Sequence, residues 1–111
     1  MEHTNAEKEP WRDGESGVKY LGRGPEIDWG IVRFKPGDEL DGHYHQRVEE
    51  TFYFPHGAPL FLLNGRAIRV CPGDVFRVEA GECHNIINDT SEEVTAVFIK
   101  CPFLPEDKVK A

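Results

Sequence analysis

The sequence has no uninterrupted apolar run approaching the roughly 20 residues a membrane-spanning helix needs, no internal repeat and no low-complexity stretch. Its first ten residues, Met1 to Pro10, are polar and acidic and carry no apolar core of the kind a secretory signal requires. A cytoplasmic protein without membrane partners is the expectation. Positive charge is also scarce: 13 Lys and Arg stand against 20 Asp and Glu, a net charge of -7. That balance argues against a nucleic-acid footprint. Cysteine is limited to Cys71, Cys83 and Cys101, an odd number at wide, unequal gaps and without a C-x-x-C pair. A fully paired disulfide framework within the chain is thereby excluded, as is a thiolate zinc knuckle. The plain expectation is three reduced, mostly buried thiols. Cys83 keeps some interest because it directly precedes His84.

Long helical windows are missing too, because Gly (11) and Pro (8) recur every several residues. Only residues 105–110 leave room for a short helical turn. What lies between the breakers is a series of short runs rich in Val, Ile, Phe and Tyr, at 27–34, 50–54, 60–63, 66–70, 75–78, 84–88 and 94–99. Many short strands separated by turn signals predict an all-β sandwich or barrel, and 111 residues suffice for one such domain. The firmest turn is Asn64-Gly65, since both central residues of a type I′ hairpin need positive φ. Residues 1–17 read as a flexible N-terminal arm or an exchanged edge strand, with Trp11 as its anchor, and residues 18–111 as the barrel with a short C-terminal tail.

Two clusters carry chemistry. In the first, Gly37 to Glu50, His43 and His45 are two apart, so in a strand both imidazoles point to one face and Tyr44 to the other. Two such rings can converge on one ion at about 2.0–2.1 Å. Two adjacent carboxylates follow, and strand phase chooses between them. Glu50, Phe52 and Phe54 share one face while Glu49, Thr51 and Tyr53 share the other. The first set is the more apolar, which turns Glu50 inward and Glu49 to solvent. The odd offset from His45 to Glu50 requires a bulge near residues 46–48. A buried carboxylate is costly unless a cation lies beside it. In the second cluster, Gly73 to Asn88, a turn at Gly81 leads into a strand on which His84, Ile86 and Asn88 share a face.

These two stretches resemble the paired motifs of the cupins. The first motif of that family, a Gly, five residues, His-x-His, three or four residues, Glu, six residues and Gly, is met by Gly37, His43, His45, Glu50 and Gly57. The second is met by Gly73, Gly81, His84 and Asn88, with Glu79 where the family usually has proline, a departure that touches a turn and no ligand. The resemblance covers residues 27 to about 99. It implies a double-stranded β-helix, a jelly-roll barrel of two antiparallel sheets. It further implies one divalent transition metal ion (Fe, Mn, Ni, Co, Cu or Zn) held by His43, His45, Glu50 and His84, and a homodimer that often exchanges its N-terminal segment.

Three neutral imidazoles and one carboxylate would leave an octahedral ion two positions for ligands. There the ion can serve as Lewis acid, template or redox centre. The pocket around it is expected to draw on Phe52, Phe61, Phe76, Ile86 and Trp29, with Arg33 as an anchor for an anionic ligand and Asn88 either supporting a ligand or closing a turn. Tyr44, His56, Arg66, Arg69 and Arg77 are assigned to the outside. Three functions follow: a metal-dependent enzyme acting on a small organic acid or sugar-type metabolite, as an oxygenase, lyase, decarboxylase or isomerase; a metal-bearing module that binds or senses such a molecule without turnover; or a structural or storage-type barrel that the metal only braces.

Overall fold

The computed structural model describes all 111 residues. Ten strands form two five-stranded antiparallel sheets. In chain order they are β1 (Gly17–Arg23), β2 (Asp28–Phe34), β3 (His43–Tyr44), β4 (Glu49–Tyr53), β5 (Leu60–Leu63), β6 (Arg66–Arg69), β7 (Val75–Val78), β8 (His84–Ile87), β9 (Val94–Cys101) and β10 (Val109–Lys110). One sheet runs β1-β2-β9-β4-β7 and the other β10-β3-β8-β5-β6, the two faces of a double-stranded β-helix. No helix is long and apolar enough to cross a membrane.

Every run read from the sequence as a strand is one, with ends shifted by a residue or two. Three strands are additional: β1, the two-residue β3 and the two-residue β10. β1 was not marked by its own composition, Gly-Val-Lys-Tyr-Leu-Gly-Arg, and forms because it pairs along β2. The tail at 105–110 forms no helix; one hydrogen-bonded turn at Pro105–Glu106, in which Asp107 N–H donates to the Leu104 carbonyl, leads into β10, which pairs with β3 at His43. Asn64 and Gly65 have φ of 49° and 80°, as a two-residue type I′ hairpin between β5 and β6 demands. Gly30 is required on packing grounds, because a Cβ there would lie 2.1 Å from the Lys19 carbonyl oxygen on the neighbouring strand.

Alternation along the strands builds the core. Val32 and Phe34 from β2, Phe52 from β4, Phe61 from β5, Ile86 from β8 and Phe98 from β9 all point between the sheets and are buried. At the centre Phe61 stacks on Phe76 with ring centroids 4.2 Å apart, and Phe52 and Phe54 meet Phe61 edge-on at 5.6 and 6.4 Å. Such contacts add to the burial of large rings. This aromatic plug fills one end of the barrel, and the polar cluster occupies the other.

The N-terminal segment lies along its own barrel. Asn5 caps a single 3-10 turn, Ala6–Lys8, whose Ala6 carbonyl accepts from Lys19 Nζ at 2.8 Å. The Trp11 ring lies 4.2 Å from both the Lys19 amine and the Arg33 guanidinium. The cysteines depart from expectation. Cys71 and Cys101 are exposed and Cys83 is half-buried, because each sits at a strand end or turn where the sheet face is open.

Candidate metal centre

His43, His45, Glu50 and His84 come together at the open end of the barrel, all four buried, with one donor atom from each lying within 4.8 Å of all the others. Two facts of sheet geometry put them there. Strands β3 and β8 pair so that His43 and His84 are direct cross-strand partners, with ring centroids 4.3 Å apart. Glu50 reaches in from β4 on the opposite sheet, on the same face as Phe52. Glu49 is exposed, as phase required.

The hydrogen bonds fix the imidazole tautomers. Nδ1 of His43 faces the Asp41 carbonyl at 2.8 Å, Nδ1 of His84 faces the Glu82 carbonyl at 3.0 Å, and Nδ1 of His45 faces the Asp107 carbonyl. A carbonyl oxygen can only accept, so each Nδ1 must carry the hydrogen. In the neutral rings each Nε2 then presents a lone pair. Yet Nε2 of His45 and of His84 lie 3.0 and 3.3 Å from the same oxygen, Glu50 Oε1. Lone pairs face lone pairs, and only a proton or a cation between them makes the arrangement favourable. Three Nε2 atoms and a carboxylate, with every Nδ1–H anchored behind, suit a divalent metal. The donor set fits.

The electrostatics agree. Glu50 is desolvated, which alone would raise its pKa, but with His45 and His84 protonated their Nε2–H groups outweigh this and hold it at about 2, so positive charge at this point is what keeps the carboxylate ionised. Burial lowers His43 to about 4 and keeps it neutral. At His45 burial also acts downward, and the Glu50 and Asp107 hydrogen bonds reverse the sign, so its pKa is raised.

Beside the cluster lies a cavity of about 70 Å³, walled among others by His43, His45, Glu50, Phe52, Phe98 and Lys100. On that measure one water needs roughly 10–15 Å³. The space therefore suits a handful of waters or a ligand of a few heavy atoms.

Of the pocket candidates named from sequence, Phe52 lines the cavity and meets His84 edge-on at 5.9 Å. The structure places the others elsewhere. Phe61, Phe76 and Ile86 pack in the core below the cavity. Trp29 and Arg33 point the wrong way, because the inward residues of β2 are Asp28, Gly30, Val32 and Phe34. Trp29 lies against Gly22 on the outer face, and Arg33 pairs with Glu93 at 3.2 Å. Asn88 closes a turn: its Nδ2 donates to the Phe34 and Glu92 carbonyls, and its Oδ1 accepts from Thr90 N and Oγ1. Cys83 takes no part in the cluster. His56, Arg66, Arg69 and Arg77 are exposed.

Sequence reasoning missed the residues from the chain ends. Asp107 bridges the break between β3 and β4: its carboxylate accepts from the N–H groups of Gln46, Arg47 and Val48 at 2.8, 2.8 and 3.0 Å, while its carbonyl holds His45. Partial desolvation raises its pKa less than those three bonds lower it, so the group stays ionised. Arg12, Lys100 and Lys108 complete the cavity wall. Nothing in the spacing of these residues marks them; Asp107 lies 62 positions from the His45 it holds.

The family model described as a cupin domain matches residues 30–100. The oxalate-binding protein of Thermotoga maritima is 33% identical over 70 residues, a stretch covering 61% of this chain and 58% of that protein, so less than two thirds of the relative is spanned. Among solved structures, KdgF from Halomonas sp. superposes with a TM-score of 0.81 at 21% identity, over 96% of this chain and 97% of its own. A double-stranded β-helix protein from Klebsiella pneumoniae superposes with a TM-score of 0.79 at 18% identity, over 93% and 91%. At these identities the two structures establish the fold.

Proposed function

Starting from the fact that the chain belongs to the cupin family, we propose that it is a metal-dependent protein that holds a small organic acid beside a divalent transition metal ion and acts on it as an enzyme. The observation that carries this is the convergence of two Nδ1-anchored histidines, His45 and His84, on one oxygen of buried Glu50, with a donor atom of the similarly anchored His43 within 4.8 Å of the others. His43, His45, Glu50 and His84 would hold the ion, and the ion would supply Lewis-acid, templating or redox chemistry. Ligand type alone accommodates Fe, Mn, Ni, Co, Cu or Zn. The protein's own part is to orient the imidazoles through backbone carbonyls, to keep Glu50 ionised and to exclude bulk water behind Phe52 and Phe98. The size of the cavity favours an acid of about two to four carbons over a sugar.

A second reading, a module that binds the acid without turnover, is favoured by the similarity to the oxalate-binding protein of Thermotoga maritima. Elemental analysis of the purified protein, beside Glu50→Ala and His45→Ala, tests the shared premise. Stoichiometric metal in the parent and its loss from both variants is the expected result. A parent that refuses Mn, Fe, Co, Ni, Cu and Zn alike would remove the premise. Incubation of the loaded protein with oxalate then separates the readings, with turnover that disappears in a folded Glu50→Ala supporting the enzyme.

Two further expectations belong to this proposal. Tyr53, Val75 and Ile99 are exposed on the outer face of the β1-β2-β9-β4-β7 sheet, with Val97 across from Tyr53 and Trp29 across from Ile99. A contiguous apolar face of this kind supports a homodimer, which light scattering would report as twice the 12.6 kDa chain mass. The three unpaired cysteines suit a reducing cytoplasm.

A further inference from the structure

A row of alternating charge crosses four adjacent strands at the mouth of the barrel. Arg23 on β1 is registered with Asp28 on β2, Asp28 with Lys100 on β9, and Lys100 with Glu50 on β4. The row starts at a partly exposed arginine and ends on the carboxylate that faces two histidines. Its members are unequally committed. Arg23 grips Asp28 with both arms of its fork, Nε to Oδ1 and Nη2 to Oδ2, each at 3.0 Å. That bidentate pair occupies both oxygens of a carboxylate only 2% exposed. Lys100 is left with a 3.8 Å approach to Asp28 Oδ2, beyond hydrogen-bonding distance. Its side chain is 16% exposed and lies between Tyr20 and Phe98, with the amine 5.5 Å from each ring centroid. All three residues line the cavity.

Lys100 is thus a largely buried ammonium with three donors and no protein acceptor, turned into the same small cavity as the ligand cluster. Burying a cation in this way is costly unless a partner arrives. Around it the balance is positive. Lys108 and Arg12 stand at the rim, and Arg12 has only an exposed 3.8 Å contact with Asp13. The one other carboxylate in the wall, Asp107, is spent on three backbone N–H groups.

We propose that Lys100 is the specificity-determining residue of the site and selects a small acid with two carboxyl groups, one directed at the His/Glu cluster and the other accepting from the Lys100 ammonium. Asp28, clamped by Arg23, fixes where the ammonium stands. Lys108 and Arg12, contributed by the two ends of the chain, add attraction at the entrance. This inference rests on the metal-site reading above, and its test separates the two.

The probes are oxalate and glycolate, which match in size and differ in the second carboxylate. Each is titrated calorimetrically into the Mn²⁺-loaded parent, Lys100→Met, Lys100→Arg and Lys108→Gln. In the parent, oxalate is expected to bind at least about tenfold more tightly than glycolate, as a charge-assisted pair in a desolvated site implies. Lys100→Met should collapse that ratio to within about threefold while Mn²⁺ content stays stoichiometric, and Lys100→Arg should restore part of it. Lys108→Gln, an exposed change that leaves the fold intact, should weaken both acids, and oxalate the more. An undiminished ratio in stoichiometrically loaded Lys100→Met, or a parent that does not discriminate, overturns the proposal and leaves the metal site standing. A parent that takes up no Mn²⁺ overturns both. If Lys100→Met does not fold, Lys100→Gln takes its place, and a parental ratio in stoichiometrically loaded Lys100→Gln would refute the role.

Discussion

Replacing Asp107 by alanine should loosen the metal centre from a distance. The carboxylate accepts three consecutive backbone N–H groups, those of Gln46, Arg47 and Val48, where the chain changes phase between His45 and Glu50. Bonds to a charged acceptor are worth more than neutral ones, but here the amides of residues 46 and 47 are open to water, which would replace the lost acceptor. Only the Val48 N–H is partly enclosed. The expected loss is about 1–2 kcal/mol of stability, or about 4–8 °C in Tm for a domain of this size. The effect on the metal comes through the main chain. The Asp107 carbonyl accepts from His45 Nδ1 and so sets which nitrogen of His45 faces Glu50. Once the tail is unpinned that carbonyl is no longer held in place. Loss of an outer partner of a ligating histidine commonly weakens metal affinity 10- to 100-fold. Because alanine keeps the carbonyl itself, the lower end, about tenfold, is expected. Competitive titration of Mn²⁺ into chelator-treated protein measures it, with the exposed neighbour Glu106→Ala as control. Asp107→Ala with metal affinity within about twofold of the parent would show that the tail does not organise His45.

Phe61→Ala removes the ring at the centre of the aromatic plug, fully buried and stacked on Phe76. It should cost about 3–5 kcal/mol by chemical denaturation, while the protein that remains folded binds metal as before; a loss under about 1 kcal/mol would mean the barrel collapses readily around the gap. Metal-free protein should lose stability on acidification. His43 sits at about 4 against an ordinary 6.5, so the unfolded chain takes up the proton first and stability falls from pH 6.5 toward 4; Glu50, at about 2 against 4.5, removes more between those values. His45, with its raised pKa, works in the opposite sense, adding stability below 6.5 that is lost as the pH rises through its folded value. Denaturation midpoints of chelator-treated protein at pH 7, 5 and 3.5 should decline in that order, and equal midpoints would contradict the assignment of these groups.

The arrangement makes the chain ends part of the site. Asp107 and Lys108 from the tail and Arg12 from the N-terminal segment line the cavity beside a His/Glu cluster whose four members all come from the barrel. On the proposed reading the barrel would set the metal geometry while these segments shape what may enter, a division in keeping with one fold serving many chemistries.

The sequence by itself determined seven of the ten strands and singled out His43, His45, Glu50 and His84, which the structure brings together. Period-two alternation told Glu50 from Glu49, the two-residue spacing placed His43 and His45 on one face, and Asn64-Gly65 declared its own turn, because each is a property of a few neighbouring residues. Tertiary structure alone decided the rest. On β2 the sets Asp28, Gly30, Val32, Phe34 and Trp29, Ile31, Arg33 are similarly apolar, so local pattern could not choose between them. The set containing Asp28 can face inward because Arg23 arrives from the neighbouring strand and pairs with both of its oxygens. Asn88 shares the inward phase of His84 but lies toward the other end of its strand, where the carbonyls of Phe34 and Glu92 claim it. Lys100 and Asp107 carry no local signature. Their roles come from strand register and from a contact spanning 62 residues. Long-range pairing decides which side chains become neighbours, and a single charged residue says nothing of its partners until the sheets close.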